Sequence, residues 1–162
     1  MIKEVSGDIL LSDSKTIVQS LAPMDHCDQG LALALRERYP SMVKDFRHFC
    51  KLHHPQPGEI WAWGGVGGLQ IVNLLCQESA EHSKGGRPGK ASLSHVDHAL
   101  KELAKWIKKE DIDRVSMPKI ATGVGGLEWE DVRNSIHKHL NDLPAQIFVY
   151  STYQKGVKAK EA

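Results

Sequence analysis

An apolar run from Arg114 to Ile120 leads into Ala121-Thr122-Gly123-Val124-Gly125-Gly126-Leu127, where three of four consecutive residues are glycine. A helical pattern follows, opening on the acidic residues Glu128, Glu130 and Asp131. A strand that passes through a glycine turn into a helix is half of a βαβ unit, and such units build parallel sheets. The turn also has a chemistry. Glycines admit positive φ and let the backbone approach a ligand closely. The N–H groups of the turn and of the helix start are then left to face a negative group. Pyrophosphate matches that arrangement best. A tight connection with no ligand needs the same glycines, so the cluster alone does not decide.

The remaining segments fit around this unit. Glu4 to Leu11 reads as a first strand interrupted at Gly7-Asp8, and Thr16 to Leu21 as a second. From Gln29 to Leu52 the apolar residues recur at three- and four-residue spacings, which predicts helices broken at Pro40. Glu59 to Trp63 and Leu69 to Cys76 read as a hairpin around Gly64-Gly65-Val66-Gly67-Gly68. The polar, glycine-bearing stretch from Gln77 to Lys90 is longer than a plain connection needs. Ser92 then opens an amphipathic helix with Lys105, Lys108 and Lys109 in its last turn. After the glycine turn come a helix from about Glu128 to Leu140 and a strand from Gln146 to Tyr150. Strands alternating with helices predict a three-layer α/β/α fold with a mixed, mainly parallel sheet. Ligands of such sheets bind outside the carboxyl ends of the strands. The expected organisation is one domain over residues 1–154 and a disordered lysine-rich tail over 155–162.

Composition removes several classes of function. With 162 residues the chain is the size of a single domain. Its 21 Lys and Arg against 20 Asp and Glu give no overall basic excess of the kind that drives duplex binding. Cys27, Cys50 and Cys76 form no C-x-x-C pair and no disulfide framework, which points to a reducing cytoplasm. No apolar run reaches the length of a membrane span, so a soluble, untargeted monomer is expected. His26-Cys27, His53-His54 and His95-x-x-His98 are pairs without a third ligand, and no metal site is expected.

Four segments together resemble a macro domain, the α/β module that binds ADP-ribose. Gly7-Asp8-Ile9-Leu10 is similar to that family's G-D-[IL] signature, and Thr16 to Ala22 running on to Gln29-Gly30-Leu31-Ala32 resembles its second strand and first ligand loop. Met117 to Val132 resembles its second loop and helix, with Pro118, Ile120, Gly123, Trp129 and Val132 in the matching places, and Ile147 to Tyr150 resembles its closing strand. The pattern is most similar to the branch holding terminal ADP-ribose protein glycohydrolases, DNA ADP-ribosyl glycohydrolase antitoxins and yeast-type ADP-ribose 1″-phosphate phosphatases. Two departures stand out. Ala22 or Pro23 occupies the place of the usual asparagine, and the first loop reads Cys27-Asp28-Gln29-Gly30 where two glycines are common. The carboxylate of Asp28 would repel a phosphate, so it should turn outward or take part in catalysis.

The resemblance implies a set of roles. Asp8 would accept from the adenine amino group while the Ile9 N–H reads a ring nitrogen, and Tyr150 and Tyr153 would pack on the adenine or its ribose. Core packing accounts for Tyr150 equally well. Ser20 and Leu21 would end the second strand at the ligand, and Gly30, Leu31 and Ala32, with Thr122, Gly123, Val124, Gly125, Gly126 and Leu127, would surround the diphosphate. The protein glycohydrolases use a lysine after the hairpin and an aspartate in the second loop, and aligning the strands puts Gln77 and Gly126 there, neither fit for that chemistry. The remaining candidates for catalysis are Asp28, Gln77, His82 and Lys84, with His95 and Asp97 on the following helix. The implied function is hydrolysis of an ADP-ribosyl linkage on protein or nucleic acid, with nucleic acid a partner only where it carries the modification. A non-catalytic ADP-ribose reader and an ADP-ribose 1″-phosphate phosphatase are the alternatives. None of the three requires a cofactor.

Overall fold

The computed structural model describes residues 1–79 and 88–162. Six strands form one sheet in the order β1 (Ile2–Gly7), β6 (Gln146–Tyr153), β5 (Arg114–Pro118), β2 (Thr16–Leu21), β4 (Gln70–Leu75) and β3 (Ile60–Gly64). All neighbours are parallel except β3 and β4, the expected hairpin. The first strand is shorter than its sequence suggests. The chain turns at Gly7-Asp8 into a single 3-10 turn over Ile9–Leu11, because the Asp8 carboxylate accepts the Leu10 N–H and fixes the bend.

Strand alternation divides the core. On one face Val18, Val72, Leu74, Val115, Met117, Ile147 and Val149 pack beneath α3 (Leu93–Lys109) and α4 (Trp129–Leu140). Ser92 caps α3 by accepting the His95 N–H, as its sequence position predicts. On the other face Leu21, Ile71 and Leu75 lie under α1 (Gly30–Arg38) and α2 (Pro40–His53), which bring Leu35, Met42, Val43 and Phe46. Pro40 sits at the start of α2, where its missing N–H costs nothing.

These two helices leave the β1, β6 and β5 half of that face without a helical cover. Segment 154–162 supplies it, and so replaces the disordered tail expected from its lysines. Ala159 and Glu161 are both 7% exposed, and Ala159 packs with Val5, Ile17, Phe148 and Tyr150. Gly7 makes the close approach possible: a Cβ there would stand 2.8 Å from the Ala159 N and the Val157 O. Glu161 replaces water with donors. It accepts from Tyr150 Oη at 2.5 Å, Ser12 Oγ at 2.7 Å, Arg114 Nη2 at 2.7 Å and the Asp13 N–H at 3.2 Å. Burial alone would raise its carboxyl, yet these hydrogen bonds pull it down to about 2. Among the described residues no helix is long and apolar enough to cross a membrane.

Candidate functional site

Two cavities of about 290 Å³ and 380 Å³ lie over the carboxyl ends of β1, β2, β5 and β6. They share Gly30, Leu31 and Pro118 in their walls and together form one cleft.

One end is built on the turn after β1. Asp8, Ile9, Tyr150 and Tyr153 line it. Asp8 is buried, with Oδ1 accepting the Leu10 N–H and Oδ2 the Gly156 N–H, each at 3.0 Å. A carboxylate has about four acceptor positions, so capacity remains for a donor from a ligand. The Ile9 N–H has no acceptor among the described residues. Tyr150 contributes its ring to the wall while its hydroxyl is held behind by Glu161, and Tyr153 is 64% exposed.

The middle of the cleft is a double row of backbone donors. α1 begins at Gly30 with no side-chain cap and no acidic residue in its first turn. Among the described residues the N–H groups of Gly30, Leu31 and Ala32 find no acceptor. Across from them, the N–H groups of Gly123, Val124 and Gly125 are equally unpaired among the described residues. Two facing sets of free donors make a concave, positive site suited to a diphosphate. The second loop owes its shape to Gly125, where a Cβ would stand 2.5 Å from the Ala121 carbonyl oxygen. Of the loop residues named from sequence, Gly123, Val124 and Gly125 line the cleft and Thr122, Gly126 and Leu127 do not. The Gly126 and Leu127 N–H groups are turned back onto Gly123 and Ala121, and Thr122 Oγ1 donates to the Lys119 carbonyl. The start of α4 therefore stays out of the cleft. Ser20, Leu21 and Ala32 line it, and Ser20 Oγ accepts the Ala121 N–H, tying β2 to the second loop.

The far end holds the catalytic candidates that the structure describes. Asp28 is exposed and Gln77 buried, and both line the cleft. Gln77 donates to the Gly89 carbonyl and bridges to Ala91, pinning together the two ends of the long loop. His82 and Lys84 lie outside the described residues. His95 and Asp97 do not line the cleft. His95 Nε2 meets Glu78 at 3.0 Å, while Asp97 is committed to α4 through Ser135 Oγ at 3.0 Å and His139 Nε2 at 2.6 Å. The hydrogen bond from His139 outweighs burial and holds the Asp97 carboxyl below the usual range.

Three residues here escaped the sequence reading. Asp25 is buried in the cleft wall, accepting the Ala22 N–H at 3.0 Å and the Cys27 N–H at 2.9 Å. Burial pushes its carboxyl up, and the nearby Asp28 charge adds to the rise. Gln19 on β2 donates to Asn73 at 2.7 Å, while its buried Oε1 has no partner among the described residues. Lys119, exposed in the wall, is the variable position between Pro118 and Ile120 of the second-loop motif. Its place inside that motif was the available signal. Among the described residues no three His, Cys, Asp or Glu side chains are placed to hold a metal ion.

The macro domain family model matches residues 20–136, which run from the end of β2 through both loops of the cleft and most of α4. The chain belongs to the macro domain family. Across 99% of its length this macro domain is 27% identical to the DNA ADP-ribosyl glycohydrolase of Mycobacterium tuberculosis, and it spans only 46% of that relative. It is also 24% identical to the ADP-ribose 1″-phosphate phosphatase of Debaryomyces hansenii, with 92% of this chain and 99% of the yeast protein covered. Among solved structures, the macrodomain of Mycobacterium tuberculosis DarG superposes with a TM-score of 0.82 at 25% identity, covering 94% of this chain and 99% of that one.

Proposed function

We propose that this macro domain binds ADP-ribose along the cleft and hydrolyses the bond joining it to a macromolecule, with DNA as the carrier. The observation that carries the binding reading is the double row of unpaired N–H groups at Gly30–Ala32 and Gly123–Gly125, set between the Asp8 end, which suits an adenine amino group, and a carboxyl-bearing end at Asp25 and Asp28. With the diphosphate fixed in the middle, the distal ribose reaches the second end, where orientation alone removes much of the barrier. Burial keeps Asp25 closer to its protonated form, so it is the candidate acid for the leaving group, and exposed Asp28 is the candidate base for water. Gln77 holds the wall beside them. The relatives named DNA ADP-ribosyl glycohydrolase support DNA as the carrier.

A second reading, hydrolysis of ADP-ribose 1″-phosphate, is supported by the yeast phosphatase, which the chain matches over almost its whole length. Parallel incubations with ADP-ribosylated DNA, ADP-ribosylated protein and ADP-ribose 1″-phosphate separate the cases. Release of ADP-ribose from DNA is expected. Phosphate release from the third substrate alone supports the phosphatase, and binding without any release supports a reader.

A further inference from the structure

Beside the mouth of the cleft, α1 and α2 enclose an open groove of about 840 Å³. Lys44, Arg47 and Lys51 stand at i, i+3 and i+7 along α2, all exposed, and Arg36 faces them from α1. None of the four has a carboxylate partner among the described residues. Among the described residues one acid lines the groove, Asp45, and the Trp63 indole N–H engages it at 2.8 Å. In a chain whose overall charge is only +1, this row is a local concentration of positive charge.

The groove adjoins the catalytic end of the cleft. Arg36 Nη1 donates to the His26 carbonyl at 3.1 Å. Cys27 and His26 immediately precede Asp28, which lines the cleft. Next to two of its lining residues are aromatic rings: Trp63, bonded to Asp45, and Tyr39, which precedes Pro40, both half-buried with ring centroids 6.0 Å apart. A basic track bordered by partly exposed aromatic rings is the arrangement that holds a single strand, with phosphates on the cations and bases on the rings.

We infer that the groove between α1 and α2 docks single-stranded DNA, so that a strand lying across Lys44, Arg47 and Lys51 presents its ADP-ribosylated nucleotide to the cleft past Arg36 and Asp28. Nucleic acid recognition is local, which is why the balanced composition gives no sign of it. The inference deepens the reading of the cleft as an ADP-ribosyl-DNA site and rests on it, but the groove is tested without the modification.

The measurement is fluorescence anisotropy with a labelled oligothymidylate across a salt series, on the parent and on K44Q/R47Q/K51Q. Glutamine keeps helix propensity, and thermal denaturation shows whether the variant folds. Each phosphate contact contributes about 0.7 to the salt slope for a single strand, so three lost contacts lower it by about 2. A fourfold rise in salt then costs the parent about 16-fold more affinity than the variant. Y39A in the parent background should weaken binding with little change in slope, as loss of stacking does. An unchanged slope in K44Q/R47Q/K51Q overturns the proposal, as does tighter binding of a duplex, of an RNA strand or of polyglutamate. Calorimetry with free ADP-ribose keeps the two readings apart. Its failure removes the cleft assignment and leaves the anisotropy result standing, whereas normal ADP-ribose binding with no DNA binding removes the groove alone.

Discussion

Replacing Glu161 by glutamine tests whether segment 154–162 is part of the domain. The substitution keeps the side chain's shape and removes its charge, leaving Arg114 and the hydroxyls of Tyr150 and Ser12 without their anionic acceptor. Two routes give the magnitude. The carboxyl is held from 4.5 down to about 2, which corresponds to about 3 kcal/mol of stability at neutral pH. Removing one partner of a buried ion pair costs roughly 3–5 kcal/mol, and because the Arg114 side chain is 31% exposed the lower end applies. For a domain of this size about 3 kcal/mol lowers Tm by roughly 6–12 °C. The sign of the pH dependence follows from the depressed carboxyl. Its contribution is fully present above about 4.5 and is lost as pH falls toward about 2. Thermal denaturation of parent and E161Q should therefore differ most near neutrality and converge on acidification. Because Gly156 and Val157 also bond Asp8, and Tyr150 forms part of the cleft wall, ADP-ribose affinity should fall as well. A Tm within about 2 °C of the parent at neutral pH, or a difference that does not shrink in acid, would refute the reasoning.

Asp8→Asn should weaken ADP-ribose binding by roughly ten- to hundredfold in calorimetry, the worth of about 1.5–3 kcal/mol for a hydrogen bond to a charged group. Gly123 and Gly125 separate charge from shape: nothing lies within 4 Å of a Cβ at Gly123, so Gly123→Glu should fold normally and lose ADP-ribose binding by repulsion, whereas Gly125→Ala should distort the loop against Ala121 and lower Tm. If Gly123→Glu binds as the parent does, the diphosphate lies elsewhere. Asp25→Asn should reduce turnover and flatten the alkaline limb of the pH–rate profile, since the raised Asp25 carboxyl supplies its proton only below its own pKa. An unaltered profile would remove Asp25 from the acid role.

The framework was legible because its signals are local. Pro40 at the break between α1 and α2, Ser92 at the start of α3 and the glycines between β3 and β4 act on their own neighbours, and each element falls within a few residues of its expected place. Parts of the cleft were legible for the same reason, as the glycine turn carries its donors in sequence. Asp25 was not, because its importance comes from a loop in which Met24 and Cys27 take positive φ and the N–H groups of Ala22 and Cys27 close onto its carboxylate. Glu161 was more deeply hidden. Its acceptor role depends on Ser12, 149 residues earlier, and on Arg114, 47 residues earlier, and no local pattern distinguishes it from a solvated tail glutamate.

The strand order places β6 between β1 and β5, so β1 touches the sheet only through the last strand to be made. During synthesis β2, β4 and β3 can pair, and β5 can join them, while Ile2–Gly7 waits on the ribosome with both of its edges open. Asp8 and Ile9 wait with it, which delays their end of the cleft until translation has passed Tyr153. Ligand can then select only chains in which β6 is in place.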